Sequence, residues 1–246
     1  MAASVRSQTA DASLLPTRTR RQRAAVQPDG IFEVRTRASL IGLTFDDGPD
    51  PAYTPQVLDL LDRYEARATF FVVGVNALAH PGLLAELTGR GHDVANHTFD
   101  HAELELLTPA EVADEIDRGE RAILQAGGPR TRLFRPPKGF TDHAVDVYAD
   151  AGRYRTVFWS ACLERFIHRT PVEVGVGRLL PEIGPGSIVL AHDGGHIAAS
   201  GRPVIDRSHT VEALPRLLEG LRNKGLRAVG VENLLAAARR HRATLA

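Results

Sequence analysis

Leu40-Ile41-Gly42-Leu43-Thr44-Phe45-Asp46-Asp47-Gly48-Pro49-Asp50 is an apolar run that ends in two adjacent carboxylates and a glycine–proline turn. A short apolar run bounded by turn residues reads as a buried strand, and Gly48-Pro49-Asp50 as the loop that leaves it. Neighbouring strand side chains point to opposite faces, so the two acids need not do the same job. One is available to ligate a metal and the other to take a proton. Hydrolysis by a metal-activated water requires both roles.

Outward from this stretch the chain alternates strand-like and helix-like segments. Strands are expected at Leu40–Phe45, Ala68–Val73, His92–Asn96, Leu133–Arg135, Arg155–Trp159, Ser187–Ala191 and Arg227–Val231. Thr108-Pro109-Ala110-Glu111 combines a capping hydroxyl, a proline at the first helical position and a carboxylate at the third, so a helix starts there and runs toward Gly127-Gly128. Pro81 opens another with Leu83, Leu84 and Leu87 on one face, and Val211, Leu214, Leu217, Leu218 and Leu221 stripe a third that Gly225 stops. Strand–helix alternation implies parallel strands joined by right-handed crossovers. An open doubly wound sheet and a closed barrel both satisfy it. Asp46 and Asp47, His97, Arg135 and His192 fall at the C-terminal ends of different strands, where a parallel barrel gathers its chemistry. The expected fold is therefore α/β, a deformed (β/α) barrel of about seven parallel strands.

The 246 residues are 43% hydrophobic, enough for one sizeable core. Thirty basic residues balance thirty acidic ones, so no overall field draws the chain to nucleic acid or an anionic membrane. Residues 1–38 are basic, with Arg6, Arg18, Arg20, Arg21, Arg23, Arg35 and Arg37 against Asp11, Asp29 and Glu33. This stretch has no apolar periodicity and reads as a flexible arm, a targeting or nucleic-acid-binding arm being the alternative; residues 39–246 read as the catalytic domain. It also lacks the apolar core of a secretion signal, and no stretch approaches a membrane span. On the sequence as given the expectation is a cytoplasmic chain, or an extracytoplasmic one if another export route serves it. The lone Cys162 excludes an internal disulfide. Nothing in the sequence reads on oligomeric state.

His97-Thr98-Phe99-Asp100-His101 places two imidazoles four residues apart, a spacing that brings both onto one side of a helical turn. With an upstream aspartate they would offer three protein ligands, leaving positions for water and substrate, whereas structural zinc sites are closed by four. Imidazole with carboxylate suits Zn2+ first, with Co2+, Ni2+ or iron as alternatives. The competing account makes them loop histidines.

Four stretches in order, Thr44-Phe45-Asp46-Asp47-Gly48-Pro49, His97-Thr98-Phe99-Asp100-His101, Arg135-Pro136-Pro137-Lys138-Gly139 and Leu190-Ala191-His192-Asp193, resemble motifs of the polysaccharide deacetylases, the NodB-homology domain of carbohydrate esterase family four. The resemblance covers roughly Leu40 to Val231. It implies that Asp47, His97 and His101 hold a divalent metal, with Asp46 as general base held by Arg135. It also implies an oxyanion donor in the backbone N–H of Lys138 after Pro137, and His192 as the acid that protonates the departing sugar amine. The implied substrate is an N-acetylated carbohydrate, peptidoglycan or a chitin-type oligosaccharide.

The chain departs from that pattern at two places. Lys138 stands where an aromatic residue is usual. Trp159-Ser160-Ala161-Cys162-Leu163-Glu164-Arg165-Phe166 has Cys162 and Arg165 where the family carries aspartates that orient the acid histidine, and Glu164 is a candidate substitute. Cys162 reads as packing, since no activating cation is paired with it. As single residues, Arg135 would fit a surface guanidinium before a proline turn and His192 an interior histidine. His196 reads as a mobile rim residue. Phosphatases with two strand-end aspartates need a residue between the acids, which Asp46 and Asp47 lack. A hydrolase of acetyl esters or small cyclic amides, and a sugar-binding relative without catalysis, remain as alternatives.

Overall fold

The computed structural model describes residues 30–140, 154–195, 197 and 204–243. In chain order the elements are β1 (Leu40–Asp46), α1 (Thr54–Arg63), β2 (Thr69–Val72), α2 (Gly74–Ala79), α3 (Pro81–Gly89), β3 (Asp93–Asn96), α4 (Pro109–Gln125), β4 (Leu133–Phe134), β5 (Arg155–Thr156) and β6 (Ala161–Cys162). They continue with α5 (Glu164–Ile167), α6 (Val172–Leu179), β7 (Ile188–His192), α7 (Ser208–Asn223), β8 (Arg227–Val229) and α8 (Val231–Ala243).

All strand pairs are parallel and run in the order β5-β4-β3-β2-β1-β7-β6, while β8 pairs with the first half of β1. The order itself forces curvature. Its two ends, β5 and β6, are joined by residues 157–160, so Thr156 and Ala161 are at most about 18 Å apart. Seven flat strands would separate those ends by about 29 Å. The sheet therefore curls on itself into the deformed barrel expected from the strand-end pattern. β6 lies in a segment the apolar pattern did not mark as a strand, because two residues carry no periodicity.

Strands covered on both faces need apolar side chains on both, and β1 and β2 are buried along nearly their whole length. Phe45 stacks on Phe70 at 5.1 Å inside the main core, which α1, α3, α6 and α7 close with Leu58, Leu84, Val176 and Leu217. Full burial of such side chains contributes about 1.5–3 kcal/mol each. The helix at Thr108 begins as expected: the Thr108 side chain accepts from the Glu111 N–H, and Glu111 accepts from the Thr108 N–H at 2.8 Å. No helix among the described residues is long and apolar enough to cross a membrane.

Residues just before the boundary read at residue 39 reach the sheet. Ile31 bridges Val157, Glu33 bridges Ser187, and Val34 is buried against the second core cluster with Phe71 and Ile188. These residues cover strand edges near the place where β5 turns toward β6, so the end of the basic stretch packs on the barrel. Residues 1–29 of the expected arm, and His196, lie outside the described residues.

Candidate active site

The site grows from the C-terminal ends of the strands. β1 ends at Asp46, and Asp47 takes a left-handed φ of 73° that swings it out of the strand. Thr98, His101 and Lys138 share that region with φ of 68°, 58° and 58°. Non-glycine residues rarely adopt it, and they persist there only where surroundings hold them. Those holds are visible. Asn76 donates to the Asp47 carbonyl at 2.9 Å, Thr98 N donates to Asn96 Oδ1 at 2.9 Å, and the N–H groups of Phe99 and Asp100 both donate to buried Glu115 of α4 at 3.2 Å. Gly119 of α4 makes room for this loop, since a Cβ there would stand 2.4 Å from Asn96 Oδ1. The spacing from His97 to His101 had suggested a helical turn; the chain instead bends through two left-handed residues, and the imidazoles converge from a loop.

Asp47 Oδ1 lies 3.5 Å from His97 Nε2 and 3.3 Å from His101 Nε2, and the three ligand-type atoms fall within 4.8 Å of one another. Oδ1 is buried without a hydrogen-bond partner. An unsatisfied buried acceptor costs about 1–3 kcal/mol, and a cation placed among these atoms would relieve it. The donor set of two imidazole nitrogens and one carboxylate oxygen fits a divalent metal. His97 Nδ1 sits 2.7 Å from the Arg135 carbonyl, which only accepts, so Nδ1 carries the proton and Nε2 keeps its lone pair. Burial opposes ionisation of Asp47, yet the charges of His101, His192 and Arg207 lower its pKa, and the carboxyl stays well below the usual range.

Asp46, the last residue of the same strand, stands beside this group. Its Oδ1 accepts from Arg135 Nη1 at 2.6 Å, and its Oδ2 stands 3.8 Å from His97 Nε2. Arg135 is wholly buried, which excludes the surface-guanidinium account. Its Nε donates to the Val157 carbonyl at 2.9 Å, Nη1 also to Thr44 Oγ1 at 3.0 Å, and Nη2 to the Phe158 carbonyl at 3.0 Å. The guanidinium lies 4.1 Å from the centre of the Phe71 ring. Three strand-end segments thus fix one arginine and, through it, one carboxylate.

His192 is the β7 residue paired with Asp46, so the sheet register itself sets the two side by side. Glu164, at the start of α5, meets it twice: Oε1 accepts the His192 N–H at 2.9 Å, and Oε2 makes an ion-pair contact with Nδ1 at 3.2 Å. Thr210 of α7 donates to Oε1 at 3.0 Å. Burial favours neutral imidazole, but the Glu164 carboxylate outweighs it and the His192 pKa is raised. Of the two residues that the resemblance sets in place of aspartates, Cys162 is a buried thiol whose pKa is pushed far up by burial and by Glu164, and Arg165 is exposed. Lys138, in the turn Pro137–Gly139, pairs its ammonium with Glu103, and Gly139 admits the Trp159 ring, which a Cβ would meet at 2.5 Å.

The chain matches the family model for polysaccharide deacetylase over residues 33–157. It belongs to the polysaccharide deacetylase family. A peptidoglycan-N-acetylglucosamine deacetylase of Bacillus cereus is 38% identical over 216 residues, which span 87% of this chain and 97% of that one. A chitooligosaccharide deacetylase of Bradyrhizobium is 40% identical over 188 residues, 74% of this chain and 84% of the relative. The crystal structure of a peptidoglycan N-acetylglucosamine deacetylase superposes with a TM-score of 0.75 at 27% identity, covering 83% of this chain and 92% of that one. Beyond the family motifs, the deacetylase site of this chain contains Arg207, which sequence reasoning missed. Its buried guanidinium donates to Asp47 Oδ2 at 2.9 Å from a stretch that carries no motif. No local signal marks a partner 160 positions away.

Proposed function

We propose that the chain is a divalent-metal hydrolase that removes N-acetyl groups from N-acetylated sugars of the peptidoglycan or chitin-oligosaccharide class. The observation that carries this is the junction of β1: Asp47 turned toward two imidazoles, and Asp46 beside them on a buried arginine. In this reading Asp47, His97 and His101 hold the ion, with Zn2+ first by donor type and Co2+ or Ni2+ as substitutes. The bound ion would supply Lewis-acid polarisation of the acetyl carbonyl and acidify water.

Asp46 takes a proton from the attacking water, and Arg135 holds its carboxylate in place through the 2.6 Å contact to Oδ1. The backbone N–H of Lys138, following Pro137, donates to the carbonyl oxygen as it gains charge. His192 gives its proton to the sugar nitrogen as the carbon–nitrogen bond breaks, so acetate and a free amine leave together. Glu164 raises the pKa of that imidazole and so favours its charged form. A non-catalytic role drew on the loss of the family aspartates, and Glu164 returns a carboxylate to the histidine they would have served. The catalytic domain is assigned to residues 39–246, with Ile31–Val34 laid against it.

Acetate release from chitin oligosaccharides and from peptidoglycan, measured after chelation and again with added Zn2+ or Co2+, tests the reading. Activity that vanishes on chelation and returns with the ion is the expected outcome. Acetate release indifferent to metal, or absent on every acetylated sugar, would overturn it.

A further inference from the structure

Two adjacent aspartates, the last residue of β1 and the one that follows it, each have their own buried arginine. Asp46 has Arg135, which the family pattern supplies. Asp47 has Arg207, at the N-terminal boundary of α7, with a guanidinium that serves two acceptors: Nη2 donates to Asp47 Oδ2 at 2.9 Å and Nε to the Gly194 carbonyl at 2.9 Å. Gly194 lies two residues past His192 and touches the Asp47 backbone so closely that a Cβ would stand 2.1 Å from the Asp47 carbonyl carbon. Arg207 therefore clamps two backbones already in contact, the turn that presents Asp47 and the loop that leaves His192.

A carboxylate offers two oxygens, and a cation among Asp47, His97 and His101 could draw on either or both. Here the two oxygens have separate surroundings: Oδ2 is taken by a charge-assisted hydrogen bond, while Oδ1 is buried without a hydrogen-bond partner and faces both imidazoles. We propose that Arg207 is a positioning residue that occupies Asp47 Oδ2, so that Asp47 offers the ion Oδ1 alone and keeps a fixed orientation toward His97 and His101. The inference rests on the ion site proposed above. Arginine suits the task better than lysine, because a planar fork reaches a carboxylate and a carbonyl at once where an ammonium is a single point charge.

The effect is strongest on the ion itself. Groups that hydrogen-bond a ligating carboxylate typically change metal affinity or activity by about 10–100-fold when removed. Arg207 is also a positive charge near the site, so its loss could instead tighten cation binding if it acted only through the field. The two readings predict opposite signs.

The test uses the whole chain, stripped of metal by chelation and titrated with Co2+ while its visible absorption is followed. Arg207→Gln is expected to bind Co2+ about 10–100-fold more weakly, with a changed band pattern because both Asp47 oxygens become available. Arg207→Lys is expected to fall between Gln and wild type, and it decides the matter if Arg207→Gln does not fold, as thermal unfolding of the metal-free proteins will show. Unchanged or tighter binding with an unchanged spectrum in the folded variant overturns the proposal while the ion site stands. Failure of the wild-type chain to bind Co2+ overturns both.

Discussion

On one flank of the site Asp46 is held by Arg135, with every guanidinium nitrogen placed on an oxygen at 2.6–3.0 Å. On the other flank His192 is met by Glu164 through one aligned hydrogen bond to its backbone and an ion-pair contact to its ring. The first flank is built from strand ends and the apolar face of Phe71; the second from β7 and the first turns of α5 and α7. Strand ends in one sheet share a register and cannot slide apart, so the base flank is rigid by construction. The acid flank depends on one carboxylate carried by a four-residue helix. Geometry dominates the first, and charge tuning dominates the second.

The largest expected effect breaks the base flank. Asp46→Asn keeps the shape and the Arg135 contact but cannot take a proton, so turnover should fall about 10²–10⁴-fold, the usual worth of a positioned base. Metal content should stay at the wild-type level, because Asp46 is not among the three converging ligand atoms. His97→Ala should lose the metal itself. Substantial activity in Asp46→Asn would remove the base assignment.

His192→Ala tests the acid flank, and its signature is selective. Release of a sugar amine needs protonation of the nitrogen, whereas an activated ester has a leaving group that departs without it. The variant should lose more on N-acetylglucosamine oligomers than on an activated acetyl ester. Equal losses on both substrates would contradict proton delivery by His192.

How much of this was legible in the sequence follows the same division. The convergence of Asp46, Asp47, His97, His101 and Arg135 could be read because each residue sits at or just past a strand end inside a recognisable run, such as Phe45-Asp46-Asp47 or Leu133-Phe134-Arg135. The barrel followed from that convergence. Glu164 could be named but not aimed, since its direction depends on the short helix that begins there. Arg207 and the packing of Ile31–Val34 were invisible because their partners are distant in the chain and no periodicity marks them. The helical reading of His97–His101 failed where Thr98 and His101 adopt left-handed φ that spacing alone cannot reveal.

Glu164→Gln sharpens the comparison with a smaller effect. In wild type the raised His192 pKa keeps the imidazole charged above its ordinary value near 6.5, so acid-dependent activity is lost only as pH rises through the raised value. Removing the carboxylate leaves burial and Arg207, which lower the pKa, against the weaker upward pull of Asp47. The alkaline limb of the pH–rate profile should move to lower pH, with a modest loss at its optimum. Asp46→Asn, acting on the other flank, should not move that limb. An alkaline limb unmoved by Glu164→Gln would mean the contact holds His192 in place without tuning it.

The smallest effect is expected at Cys162, although it occupies a family aspartate position beside the same carboxylate. Its thiol is buried, its pKa is driven up by burial and by Glu164, and its sulfur stands 3.8 Å from Glu164 Oε2. A thiol held protonated at that distance is a weak donor to an oxygen already facing His192. Cys162→Ala should therefore leave the pH–rate profile in place and cost about 1 kcal/mol of stability through lost packing, a change within reach of thermal unfolding. A shift of the alkaline limb in this variant as large as that of Glu164→Gln would show instead that thiol and carboxylate act on His192 as a unit, and the acid flank would then rest on two groups where one is argued here.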